Sequence, residues 1–377
     1  MHLIEIYRMY FRHDKIIHLN YEIKMIKLLS VGFLAIGFLL NSCASNNEVL
    51  TENIDTEKEV KLMTGLQENL DMLSAADNTF KSGKYTEATD LYEEIATKSA
   101  KDRDYVVMVQ ALAMTARGHL IRDDMKTGLI WLQRAEQLAK DEEPLGWSRY
   151  LGVKGRFEWK KGDNPKATLT FYEMYDYCIE HELFSRAIDA AHMVAITGTP
   201  EEQVEWAYKG IKAAELGNED GWLGPLWNNL GATYWDKAKS EGNDKELNEK
   251  ALFCYLKARN YHWKMGSEKS KLIADWAVGS AYRRLGDFEK AGAWLRAVLA
   301  WSERLYSLDS KPGTGEWIGW CNYDLGLMSQ EQGNNEAALP QLRIAREYLG
   351  KANMPKWDKK TWDLLEEQIV ALENQLK

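Results

Sequence analysis

Residues able to do chemistry are thinly spread in this chain and poorly grouped for it. Four of its seven histidines, His119, His181, His192 and His262, lie beyond residue 43, and none falls in an HExxH pattern or beside a CxxC pair. Those are the spacings that close a metal site, so neither a metal nor a cofactor is expected. The chain has no GxxxxGK[ST] loop and no G-x-S-x-G elbow, so phosphate cradling and an activated serine are equally unsupported. The glycine-rich piece Pro312-Gly313-Thr314-Gly315 is too short to hold phosphates and reads as a turn between helices. Acidic residues are plentiful, but along helical patterns they mostly form a solvated face, and no pair stands out as acid and base. No catalytic residue is assigned. Cys178, Cys254 and Cys321 sit singly among apolar residues, which predicts buried free thiols in place of a disulfide framework.

Cys43 is the exception. Residues 25–43 read MIKLLSVGFLAIGFLLNSC, with Met25 and Lys27 ahead of a mostly apolar run from Leu28 to Leu40. That run is shorter than the roughly 20 residues that span a bilayer and has the size of a secretory apolar region. The end Leu40-Asn41-Ser42-Cys43 resembles the bacterial lipobox, although Asn41 is a looser fit than the usual small residue. The resemblance implies that Cys43 is acylated and becomes the mature N-terminus, with residues 1–42 removed as a signal peptide. Residues 1–24 would make an unusually long leading region, so translation is expected to begin at Met25. Residues 43–57 are polar and predict a lipidated tether. Ala44, in place of Asp, implies an outer-membrane address by a family-level sorting rule.

The elements that would position any functional group are helices. From about residue 58 onward apolar residues recur at intervals of three and four, and strand-like alternation is nowhere sustained. Fifteen Trp, 18 Tyr and 9 Phe supply enough apolar area to fold, while 7 Pro and 27 Gly are too few for a many-turned sandwich. A net charge of −9 argues against nucleic acid as a partner.

The helical pattern repeats. Trp227-Asn-Asn-Leu-Gly-Ala-Thr-Tyr234 follows a W-x-x-L-G-x-x-Y scheme, with Ala251, Tyr255 and Ala258 on its partner helix after an insertion near 241–248. A second unit has Gly279, Tyr282, the turn Gly286-Asp287 and Ala291, Leu295 and Val298. Fainter copies place the same marker position at 76, 116, 155, 192 and 326. These features resemble the tetratricopeptide repeat family over residues 58–350. The resemblance implies an all-α solenoid, a right-handed superhelix of about seven antiparallel helix pairs. The marker interval exceeds the family's period of about 34 residues, so helices or turns must be longer. Pro340 falls beyond the first turn of its helix and is expected to kink it. Residues 351–377 hold a final helix with Trp362, Leu365, Ile369, Leu372 and Leu376 on one stripe, the pattern of a terminal cap.

In such arrays the first helix of each pair lines the inner wall. Counting from the marker places Arg156, Trp159, Lys160, Asn228, Asn229, Trp235, Trp276, Arg283 and Tyr323 there, with Arg117 and Arg284 beside them. Aromatic, amide and basic groups would together suit an extended protein or peptide partner bearing an acidic or C-terminal carboxylate. The bland reading is also open: basic residues late in a helix complement its dipole, and Trp can simply pack between repeats. The functional expectation is a non-catalytic interaction scaffold, lipid-anchored in the bacterial envelope. The alternative is glycan binding or processing by an all-helical toroid with paired carboxylates.

Overall fold

The computed structural model describes residues 52–377, with side chains from residue 65. Cys43, Met25 and the 1–42 segment lie outside the described residues. Every regular element among the described residues is a helix. They are α1 (Glu52–Lys81), α2 (Tyr85–Asp102), α3 (Tyr105–Ile121), α4 (Met125–Leu138), α5 (Pro144–Lys160), α6 (Asn164–Glu180), α7 (Phe184–Thr197) and α8 (Pro200–Leu216). Then follow α9 (Asp220–Ser240), α10 (Lys245–Met265), α11 (Glu268–Arg284), α12 (Phe288–Asp309), α13 (Pro312–Glu331), α14 (Asn335–Lys351), α15 (Met354–Trp357) and α16 (Lys359–Gln375). The first helix starts at Glu52, inside the stretch read as a tether. None of these helices is long and apolar enough to cross a membrane.

The chain folds as a tetratricopeptide-like α-solenoid, and its packing divides between Gly198 and Thr199 into two compact units. The marker positions 76, 116, 155 and 192 lie on α1, α3, α5 and α7 of the first unit; 231, 279 and 326 lie on α9, α11 and α13 of the second. These are the A helices; α2, α4 and α6 are B partners in the first unit, α10, α12 and α14 in the second, and α8, expected as the B helix of the fourth pair, packs instead on α9.

Local chemistry sets the helix boundaries. Asp104, Asp124, Asp163, Asp244, Asp287 and Asn334 each accept a backbone N–H three residues on, satisfying one of the donors a helix start leaves unpaired. Thr199 and Glu202 close a full capping box at the head of α8. Most A-to-B turns hold a glycine at positive φ, as at Gly286 (φ 77°), whereas Asp123 takes that conformation at 61° in the second pair.

The A and B helices meet at the marker. A Cβ built on Gly231 would lie 2.7 Å from Cε1 of Tyr255, and one on Gly155 would lie 2.7 Å from the Phe171 ring. Trp227, Leu230, Tyr234 and Ala251 are buried around the first of these contacts. His192 occupies the fourth marker position, on α7, and is itself buried.

The long second-unit intervals are absorbed by long helices. Both α9 and α10 run 21 residues, so the insertion near 241–248 is a short turn followed by the first turn of α10. Pro312-Gly313-Thr314-Gly315, read as a turn, instead opens α13: Pro312 sits at the first helical position, where its missing N–H is not needed. The helix α14 continues unbroken through Pro340, and α9 likewise through Pro225. Cys178, Cys254 and Cys321 are buried free thiols. At the carboxyl end Leu365, Ile369 and Leu372 of α16 close over Leu342, Ala345 and Leu349 of α14.

Candidate functional site

In the first unit successive A helices touch, α1 with α3, α3 with α5 and α5 with α7, and in the second unit α11 meets α13. The A layer is therefore the tighter, inner layer of the first unit, and α11 with α13 form the corresponding wall of the second. The two inner walls carry different chemistry.

In the first unit the wall is a seam of arginines and aspartates. Asp77 on α1 receives a two-pronged pair from Arg149 on α5, Nη1 to Oδ1 at 2.8 Å and Nη2 to Oδ2 at 2.7 Å. The Tyr92 hydroxyl donates to the same carboxylate at 2.6 Å. Burial alone would raise the Asp77 pKa, but the charge and hydrogen bonds of Arg149 hold it down to about 2. Seven residues on, Arg156 donates through Nη2 to both Asp189 oxygens at 2.7 and 2.9 Å, and through Nη1 to the Gly152 carbonyl. Arg186 on α7 reaches back to the Leu145 carbonyl, the Ser148 hydroxyl and the Gln110 amide oxygen. Arg117 lies with its guanidinium carbon 5.0 Å from the centroid of the Phe80 ring. His192, beneath Asp189, is pushed down to about 4 by burial and is neutral at pH 7.

In the second unit the wall is largely indole. Trp276 of α11 lies 5.5 Å from Trp317 and 5.8 Å from Trp320, ring centre to ring centre, and Trp320 continues to Tyr323 at 6.0 Å and to Trp357 at 6.3 Å. The spacings and tilts are those aromatic quadrupoles prefer. The indole N–H groups of Trp276 and Trp317 are buried and meet no acceptor among the described residues. Trp320 donates to the buried Glu316 carboxylate at 3.2 Å, whose pKa burial pushes up. Below the aromatics, Arg283 donates through Nε to Asp324 at 2.9 Å and through Nη1 to Glu331. Arg284 stacks 3.8 Å over the Trp235 ring and donates to Ser280.

The residues expected on the inner wall fall on A helices, but in two sets. Arg156, Trp159 and Lys160 belong to the first unit; Asn228, Asn229, Trp235, Trp276, Arg283 and Tyr323 belong to the second. Three of the expected ligand cations already face carboxylates: Arg156 with Asp189, Lys160 with Asp123 at 2.7 Å, and Arg283 with Asp324. Asn228 is 5% exposed, with its amide oxygen unpartnered, while Asn229 is half-buried. Sequence reasoning missed Arg149, Arg186, Asp77, Asp189, Trp317 and Trp320. The seven-residue recurrence of Gln110 with Arg117 and of Arg149 with Arg156 was available as a sign of one shared helix face. Among the described residues no group of His, Cys, Asp and Glu is arranged to hold a metal ion.

No protein-family model matches the chain, and none of the curated proteins matches it in sequence. Solved structures do. The apo form of RapI superposes with a TM-score of 0.59 at 12% identity, covering 75% of this chain and 77% of RapI. A signal transduction ATPase with numerous domains, carrying a tetratricopeptide repeat sensor, from Pyrococcus horikoshii gives 0.58 at 15% identity over 82% of this chain. The fold is tetratricopeptide-like. The likeness extends no further than the fold, and the chain spans only 45% of the length of the Pyrococcus protein.

Proposed function

We propose that this chain is a non-catalytic docking scaffold for a protein or peptide partner, tied by a lipidated Cys43 to the outer membrane of a bacterial envelope. The observation that carries the scaffold reading is the second unit's inner wall. Trp235, Trp276 and Tyr323 are partly exposed there, on helices whose backs are fully packed. Large rigid aromatics bind extended chains at a low cost in side-chain entropy, and hot spots are enriched in Trp, Tyr and Arg. A partner carboxylate could add a charge-assisted bond at the half-buried Asn229 or beside Arg284. The lipid anchor rests on the lipobox-like sequence alone. A second reading, glycan binding or processing, is favoured by the same row of indoles, since sugar faces stack on Trp.

One affinity purification from detergent-solubilised envelopes tests these readings together. The wild-type chain should recover a stoichiometric protein, and the Asn229→Ala/Trp235→Ala double variant should lose it while unfolding at a similar temperature. Cys43→Ala should keep the partner in solution but no longer fractionate with membranes. Retention on a sugar matrix without a protein partner would select the glycan reading. Equal recovery by the double variant would remove this wall from the scaffold, and unchanged fractionation of Cys43→Ala would remove the anchor.

A further inference from the structure

Four partly exposed rings of the second unit are grouped about Trp320. Its ring centre lies 5.8 Å from that of Trp276, 6.0 Å from Tyr323 and 6.3 Å from Trp357, with planes inclined at 50°, 70° and 49°. All four rings keep some contact with solvent. The indole N–H groups are turned away from it. Trp320 donates to Glu316, Trp357 donates to the Ala352 carbonyl, and the Trp276 N–H is buried. What this wall offers a ligand is therefore ring carbon and the negative π face.

Partly exposed rings elsewhere in the chain carry a cation supplied by the chain itself. Arg284 lies 3.8 Å over Trp235, Arg259 5.0 Å over Trp263, Lys351 5.1 Å over Tyr348 and Lys290 5.3 Å over Tyr282. Among the described residues no lysine or arginine covers Trp276, Trp320, Tyr323 or Trp357. The charges set beside these four are instead mainly acidic. Glu316 is 5% exposed and accepts from the Trp320 N–H, with no ion pair to a cation among the described residues. Burial pushes its pKa up, and Lys269 opposes that only through its field. Tyr323 stands in the fields of Asp324 and Asp358, while nearby Arg283 is already bonded to Asp324 and Glu331. A carboxylate behind a π face adds to the attraction that the face already has for a cation.

We propose that Trp276, Trp320, Tyr323 and Trp357 receive a basic side chain of the partner, arginine ahead of lysine, with Glu316 as the counter-charge. The inference rests on the scaffold reading and names the partner's chemistry at a place apart from Asn229 and Arg284. A guanidinium is planar and more weakly hydrated than an ammonium, so it stacks on an indole face at a lower cost in desolvation. The three neighbouring ring centres stand within 6.3 Å of Trp320. A head group stacked on Trp320 therefore meets a second ring through its edge or its methylene stem.

The test titrates the full chain in detergent with N-acetylarginine methylamide and, separately, with its lysine and citrulline analogues. The readout is the indole N–H resonances of protein carrying nitrogen-labelled tryptophan, with Trp320 assigned through Trp320→Phe. The arginine compound should shift the Trp320 resonance saturably, the lysine compound should bind more weakly, and uncharged citrulline should bind weaker by about tenfold. Glu316→Gln keeps the size of the side chain and an acceptor for the Trp320 N–H. It should weaken arginine binding about fivefold and leave citrulline unchanged. Glu246→Gln, which removes the same charge from an exposed position on α10, should bind as wild type. The absence of a saturable shift in wild type overturns the proposal whether or not any variant folds. So does citrulline binding as tightly as arginine, which would make the wall an apolar surface only. Equal losses in Glu316→Gln and Glu246→Gln are attraction by net charge, and they too overturn it. Recovery of a partner without arginine binding removes this inference and leaves the scaffold reading standing; arginine binding without a recovered partner leaves the cation site standing and removes the scaffold.

Discussion

The two units share a backbone plan and differ in what they spend their inner walls on. The first fills its A-helix seam with arginine and aspartate, the second with tryptophan. Its A helices α3 and α5 are 17 residues each, against 21 and 20 for α9 and α13. Indole rings lie across facing helices in the second unit, where Trp276, Trp317 and Trp320 form one stack. In the first, an ion pair runs from α1 to α5 past the intervening A helix. The lesson is that this fold constrains only the A-to-B contact, where a glycine or alanine must admit a large side chain. The inner face is free to vary, and it has varied toward charge in one half and toward aromatic area in the other.

The sharpest way to break this comparison is to orphan a charge. Asp77→Ala should cost the first unit about 3–5 kcal/mol, because it leaves Arg149 buried without its carboxylate. Replacing both partners, as Asp77→Leu with Arg149→Met, should recover most of that loss. Urea unfolding at neutral pH measures both. The wild-type advantage should be full above pH about 4 and vanish as pH falls through about 2, since the folded pKa of Asp77 lies below its unfolded value. An additive double variant would mean that the pair is not the source of the effect.

A smaller effect should be common to both units. Leucine at Gly155 or Gly231 drives a side chain into Phe171 or Tyr255, whose rings already stand 2.7 Å from the added Cβ. Overpacking of this kind costs about 1–3 kcal/mol and sometimes more. Thermal unfolding should show similar losses for the two variants. Tolerance of one alone would mean that the unit carrying it does not rest on the marker contact.

An effect of similar size per residue, which appears only on acidification, is expected at neutral imidazoles, one in each unit. Burial pushes His192 and His262 down to about 4, against about 6.5 when unfolded. Between those values the unfolded chain binds more protons, so stability falls as pH drops from about 6.5 toward 4, on the order of 1–3 kcal/mol for each residue. His192→Asn and His262→Gln should each flatten the slope of unfolding free energy against pH. A slope that either variant leaves unchanged would assign the acid sensitivity elsewhere.

Much of the fold was legible because its signals are local. The tetratricopeptide-like register could be read from Trp227 to Tyr234, the turn at Gly286-Asp287, and the small residues set against Tyr255 and Leu295. Each is a short-range consequence of helix period, capping and backbone freedom. The terminal cap was legible for the same reason, since Leu365, Ile369 and Leu372 recur at helical spacing. Pro312 was misread because proline followed by glycine signals both a turn and a helix start, and only the hydrogen bonds that follow distinguish them.

The sequence by itself determined the helices and, for the pairs inside each unit, the side of each helix that faces its partner, because these follow from interactions between residues within one repeat. Only the tertiary structure decided which charges neutralise one another. Asp77 and Arg149 stand 72 residues apart, and Arg186 and Gln110 stand 76 apart. They meet because curvature brings alternate A helices together, a quantity summed over several packed contacts and written in no single one of them. Packing inside each unit set Arg156 against Asp189 and Arg283 against Asp324, and left Arg117 without a bonded carboxylate.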